Sequence, residues 1–213
     1  MFMETKKLLR KLQGTQTIES VKLILAVSRE KAIYYIYRLR KQGYVRTKRQ
    51  GNKRIYNISF ENKLGGTSYY DIINENSLIK ISTSELYKIY GKKPSLEETL
   101  VYAIKTKSLR VILASLALFK KIHDWNELYL LSKKNYVERQ AGALYDLART
   151  IMRTRKITKR FLNKSIPKKQ DKYIYIIQNL SSNDFKEIEN KWKVYLPFNK
   201  ADLENYKSKK FSN

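Results

Sequence analysis

Leu8, Leu9 and Leu12 recur at helical spacing through Met3–Gln13 and stop at Gly14, so the chain opens on a short amphipathic helix. Thr17 is placed to cap a second helix from Ile18 to Leu25, and Ala26 with Val27 reads as a tight break. Ser28 is a good N-cap for a third helix, Arg29–Gln42, because its hydroxyl can accept a hydrogen bond from an orphan amide. Ala32, Ile33, Ile36 and Leu39 form the apolar stripe expected of that helix, and Gly43 sits where a left-handed residue should end it. Two strand-like runs follow, Tyr44–Lys48 and Arg54–Ser59, with turn chemistry between them at Arg49–Lys53. Helix, helix, break, helix, hairpin is the order of a winged helix-turn-helix.

The pattern changes after that. Residues 61–68 contain Gly65-Gly66 and read as a linker. Ser68–Glu75 is expected to start a helix, and Leu78–Ser82 to form a short strand. Ser95 with Glu98 has capping-box spacing, and Leu96, Leu100, Ala103 and Ile104 line the helix that follows. Further helices are expected over Leu109–Lys120, Asn126–Ser132 and Val137–Met152. Asp171–Gln178 reads as a buried strand, and Ser182 or Asn183 as the cap of a helix over Asp184–Asn190. Lys193–Leu196 reads as a short strand closed by Pro197, and Asn199 as the cap of a last helix through Tyr206. The expected fold class is α+β and predominantly helical. A winged helix-turn-helix spans 1–60, a linker 61–68, and a mainly α-helical domain with a few short strands 69–213.

Composition narrows the chemistry. The 213 residues, 42% of them hydrophobic, suffice for one good core or two small ones. The longest strongly apolar run, Val111–Phe119, falls far short of the roughly 20 residues that span a bilayer, and the charges from Glu4 onward do not fit a signal peptide. Cysteine is absent, which excludes disulfides and thiolate metal sites; a cytoplasmic protein is the default expectation. The formal net charge of +26 calls for a polyanionic partner, either nucleic acid or an anionic membrane surface. A lysine-rich genomic bias from an AT-rich, thermophilic source is the alternative account, since Lys, Ile and Tyr are all abundant.

Where the charge falls carries more weight than its sum. With the apolar stripe removed, the third helix leaves Arg29, Lys31, Tyr34, Tyr35 and Arg38 outward or flanking, and the hairpin tip adds Lys48, Arg49, Lys53 and Arg54. Arginine can bond guanine in the major groove, tyrosine can contact phosphate or a thymine methyl, and a basic hairpin suits the backbone or the minor groove. The alternative is a solvated basic hairpin on a fold used for protein contacts. Arg149–Lys169 holds nine Lys or Arg and no acid, and its Arg149–Arg160 part reads equally as a second phosphate-contacting face or a solvated helix side.

Catalytic patterns fail. Asn62–Ser68 is similar to a glycine-rich phosphate loop but lacks the lysine such loops need. His123 is the lone histidine, beside Asp124 and Trp125, so a histidine-based metal site or triad cannot form; Glu97 and Glu98 are adjacent and point apart on a helix. The expectation is a non-enzymatic chain without cofactor or metal.

Ser95-Leu96-Glu97-Glu98-Thr99-Leu100, then Asp124-Trp125-Asn126-Glu127-Leu128, then Arg139-Gln140-Ala141-Gly142-Ala143-Leu144 resemble the motifs of the AbiEi-type antitoxins of type IV toxin–antitoxin systems. These proteins carry such helices behind an N-terminal winged helix. The resemblance covers roughly 1–150; the tail around Lys191–Pro197 looks like an archaeal variant. It implies a repressor that binds double-stranded DNA upstream of its own operon, and a second domain that antagonises a nucleotidyltransferase-type toxin. In it, Glu98 and Thr99 cap and orient a helix, and Gly142 permits close helix packing. Regulators of this kind commonly bind two half-sites as homodimers. The alternative reading is a protein-interaction module in which DNA binding is secondary.

Overall fold

The computed structural model describes residues 4–82 and 88–207; the Met3 start of the first expected helix and the last six residues of the chain lie outside them. The fold is α+β, mainly helical with a few short strands. The chain forms two compact units, Met1–Ser68 with Ser84–Pro94, and Tyr69–Thr83 with Ser95–Asn213.

The first unit packs three helices, α1 (Thr5–Leu12), α2 (Ile18–Leu25) and α3 (Arg29–Lys41), with a three-stranded antiparallel sheet. The sheet has β1 (Gly14–Gln16), β2 (Val45–Gln50) and β3 (Lys53–Ile58), with β3 in the middle. Thr17 and Ser20 cap α2 reciprocally: the Thr17 hydroxyl accepts from the Ser20 amide at 3.2 Å, and the Ser20 hydroxyl from the Thr17 amide at 2.9 Å. Ala26 then takes the left-handed conformation, φ 50°, and turns the chain into α3. That conformation costs an alanine on the order of 1–2 kcal/mol. It is held by bonds from the Ala26 and Val27 amides to Leu23 and Lys22 carbonyls. The Ser28 hydroxyl accepts from the Lys31 amide at 3.3 Å, as expected of the cap. The core is the leucines of α1, one face each of α2 and α3, and Val45, Tyr56 and Ile58 of the sheet.

Three features of this unit depart from the sequence reading. The hairpin turn is Gly51-Asn52 alone, with Gln50 opposite Lys53 and Gly51 at φ 56°, the left-handed first position of a two-residue turn. β1 escaped notice because three short, mostly exposed residues carry no alternation. Residues 61–68 are built structure rather than a linker. Glu61–Gly65 is a 3-10 turn anchored by the Asn62 amide, which donates to Tyr44 and Asn57 carbonyls at 3.1 and 2.9 Å. β4 (Thr67–Ser68) then pairs with β5 (Lys88–Ile89). The Tyr90 ring after β5 lies on Gly43 and Gly66, where an added Cβ would stand 2.6 and 2.5 Å from it, so the ring needs both glycines bare.

The second unit begins with α4 (Tyr69–Asn76), close to expectation. The expected strand over Leu78–Ser82 is absent. The Asn74 side chain takes both backbone groups of Ile81, each at 2.8 Å, in place of a neighbouring strand. The helices α5 (Leu96–Lys105), α6 (Leu109–Ser115), α7 (Trp125–Lys134), α8 (Glu138–Ile151) and α9 (Lys159–Ser165) follow. α5 has the full Ser95–Glu98 capping box, and the Thr99 hydroxyl donates to the Ser95 carbonyl at 2.7 Å. The single helix expected over Leu109–Lys120 tightens into a 3-10 turn at Leu116–Lys120. Phe119, Trp125, Tyr145 and Phe161 meet edge-on or stacked at the heart of this unit. α9 was hidden in the basic run: the Thr158 hydroxyl caps it and Phe161 anchors it in the core.

The end of the chain packs on α8. The strand expected over Asp171–Gln178 shrinks to β6 (Ile174–Tyr175), which pairs in parallel with β7 (Val194–Tyr195). α10 (Lys186–Trp192) starts after Phe185, not after Ser182 or Asn183, and α11 (Lys200–Lys207) follows Asn199 as expected. Trp192 is fully buried on Gly142, where a Cβ would stand 2.3 Å from the indole, and its Nε1 donates to Asp146 at 2.7 Å. Gly142 thus permits close packing, and the packed group is a tryptophan held by a carboxylate one turn further along α8.

Candidate nucleic-acid interface

The register of α3 decides which side chains it offers. Ala32, Tyr35, Ile36 and Leu39 are buried, a complete i, i+3, i+4, i+7 stripe. Two sequence assignments are thereby exchanged. Tyr35, expected on the outer face, is 2% exposed and belongs to the core. Ile33, expected in the stripe, is 47% exposed, because a helical turn of about 100° per residue carries position 33 off the line joining 32, 35 and 39. Tyr34 and Tyr37 are 43% and 51% exposed. Lys31 is exposed; Arg38 is half-buried, its guanidinium 5.9 Å above the Tyr35 ring.

Arg29 opens α3 and holds the Glu19 carboxylate of α2 at 2.8 Å. Both side chains remain more than half exposed, and such a pair is worth no more than about 1 kcal/mol, so an incoming phosphate can replace the carboxylate. On the hairpin, Lys48, Arg49, Lys53 and Arg54 are all exposed, and Arg49 stands directly opposite Arg54. Like charges facing across a strand pair are unfavourable without an anion between or beside them.

A cleft of about 640 Å³ lies between the start of α3 and the hairpin. Arg29, Arg49, Lys53 and Arg54 line it, with Glu19 the one carboxylate on its wall. The structure therefore gathers four of the nine predicted residues in one place. Lys31, Tyr34, Arg38 and Lys48 are outside the cleft lining, and Tyr35 is buried. Sequence reasoning missed Ile33, Asn52 and the Thr17 end of α2, which also line it. It also passed over Glu30 and Lys41, exposed on the side of α3 away from the core. The positions opposite a correct 32/35/36/39 stripe include Glu30 and Lys41, and its shoulder toward the hairpin includes Ile33. A bond from its own backbone amide, then one from Ser28, holds the Glu30 carboxyl below the usual range.

All nine cations of Arg149–Lys169 are exposed, and among the described residues none of them is ion-paired. Arg155 meets His123 Nδ1, Lys164 lies 5.2 Å over the Tyr129 ring, and Arg160 lines a cleft of about 240 Å³ with His123 and Trp125. Glu97 is buried and accepts the His123 and Asp124 amides at 3.3 and 3.2 Å, while Glu98 completes the α5 cap. Among the described residues no group of His, Asp and Glu is placed to hold a metal ion, and no helix is long and apolar enough to cross a membrane. No family model, curated protein or solved structure matches the chain.

Proposed function

We propose that this chain is a sequence-specific, double-stranded-DNA-binding transcriptional regulator, with a winged helix-turn-helix as its first unit. α3 enters the major groove, and the β2–β3 hairpin is the wing that grips the backbone. One observation carries the reading: Arg29 from α3 and Arg49, Lys53 and Arg54 from the hairpin converge on a single cleft beside the exposed face of α3. A phosphate strand seated there would relieve the facing Arg49–Arg54 pair, and each phosphate met by one of the four groups would release its condensed counterion. The second unit adds a mainly helical domain suited to a regulatory partner. In an antitoxin-like repressor that partner is a nucleotidyltransferase-type toxin, and the exposed Leu130 in the middle of α7 and Tyr136 just beyond it favour such a protein contact as the second reading.

Selection of duplexes from a random-sequence pool by the full chain tests the first reading. A regulator enriches a defined motif and binds it at least about a thousandfold more tightly than unrelated duplex at the same salt. Equal affinity for every duplex would remove sequence-specific regulation.

A further inference from the structure

Resting on that DNA-binding reading, we infer that α3 reads the major groove chiefly through apolar contacts of Ile33, Tyr34 and Tyr37 to thymine C5-methyl groups, not through arginine on guanine. The buried stripe fixes the geometry. Glu30, Tyr34, Tyr37 and Lys41 fall opposite Ala32, Tyr35, Ile36 and Leu39, and Ile33 falls on the shoulder that faces the cleft. Neither of the arginines suited to guanine occupies that outward line. Arg29 sits at the cleft against Glu19 at 2.8 Å, and Arg38 is half-buried on the opposite shoulder with its guanidinium over Tyr35.

Ile33, Tyr34 and Tyr37 put apolar carbon on the outer side of α3, at 47%, 43% and 51% exposed, with Glu30 and Lys41 at the two ends of that line. The thymine methyl is the one apolar group that base edges present in the major groove. Glu30 adds a carboxylate in the first turn of the helix. It can accept a hydrogen bond from the cytosine N4 amine, and it disfavours guanine, whose O6 and N7 are both acceptors. Pyrimidine edges, thymine above all, are the class of base that this face fits. The cleft cations hold the adjoining phosphates and set register without reading sequence.

The test uses the full chain and the duplex it selects from a random pool, resynthesised with deoxyuridine in place of thymidine one position at a time. That exchange removes the methyl group and leaves every base-pair hydrogen bond intact. Each contacted position should weaken binding about fourfold, the worth of burying one such carbon. An Ile33→Ala, Tyr34→Ala, Tyr37→Ala variant, altered only at exposed positions and checked for retained helix by circular dichroism, should bind the thymine and uracil duplexes alike. Equal affinity of the unaltered chain for both duplexes overturns this inference and leaves DNA binding standing. A variant that keeps the full thymine preference overturns the assignment to these side chains. Enrichment of no motif at all overturns the sequence-specific DNA-binding reading and this inference with it.

Discussion

The two units use their carboxylates in opposite ways. In the second, acids build the fold. Glu189 is 1% exposed and accepts the Leu196 amide at 2.7 Å. Asp146 takes the Trp192 indole, Asp124 caps α7, and Asp171, Asp184 and Asp202 each accept a backbone amide near a chain reversal. In the first unit the described residues hold no aspartate, and hydroxyls of Thr17, Ser20 and Ser28 do the capping instead. Its Glu19 meets Arg29 and Lys22 at the surface. The lesson is that total charge locates nothing. A net +26 is spread over both units, but the first meets its helix-end hydrogen bonds with neutral groups, and among the described residues Arg49, Lys53 and Arg54 of its hairpin have no carboxylate partner in the cleft where Arg29 holds Glu19.

The largest effects should come from breaking each core at the residue that distinguishes it. Tyr35→Ala should destabilise the first unit by about 3–5 kcal/mol, as for a buried aromatic, in urea unfolding followed by circular dichroism. Tyr37→Ala, two residues on and half exposed, should leave stability within about 0.5 kcal/mol. Gly142→Ala should cost the second unit about 1–3 kcal/mol or more, because its Cβ meets a fully buried indole with no room to retreat.

How far the sequence could be read follows from the same contrast. Caps and breaks are local, so Thr17, Ser28, Ser95 and Asn199 announced their helices, and α2 has the bounds its pattern suggested. Elements that exist through distant partners were illegible: β1 needs β3, β4 needs β5, and the false strand at Leu78–Ser82 is replaced by the Asn74 side chain. On α3 the stripe was right in period but wrong by two residues in membership. Ile33 is wholly apolar and Tyr35 carries a polar hydroxyl, so residue type alone favours the wrong member, and only packing against α1 and α2 decides between them. The basic members of the cleft were legible as charge; that Arg29 and the hairpin tip converge was not.

Smaller effects sharpen the comparison at the helix ends. Ser28→Ala should cost about 1 kcal/mol by freeing the Lys31 amide, read as a lower midpoint in the same unfolding assay. The smallest concerns Glu30. Its folded carboxyl titrates below its ordinary 4.5, so the stabilisation is fully present above that pH and is lost as pH falls through the lower folded value. Thermal unfolding at pH 6 and pH 3 should show a slightly larger drop for the unaltered chain than for Glu30→Gln.

The salt dependence of duplex binding tests the central claim most directly. Anisotropy titrations of the selected duplex between about 50 and 200 mM salt give the slope of log K against log salt. Replacing Arg49, Lys53 and Arg54 by Gln should flatten that slope by about 2.7, roughly 0.9 for each phosphate left without its cation. The same exchange at Arg153, Lys156 and Lys159 should change it less. An unchanged slope in the hairpin variant, with the second set carrying the effect, would contradict the assignment of DNA binding to the first unit.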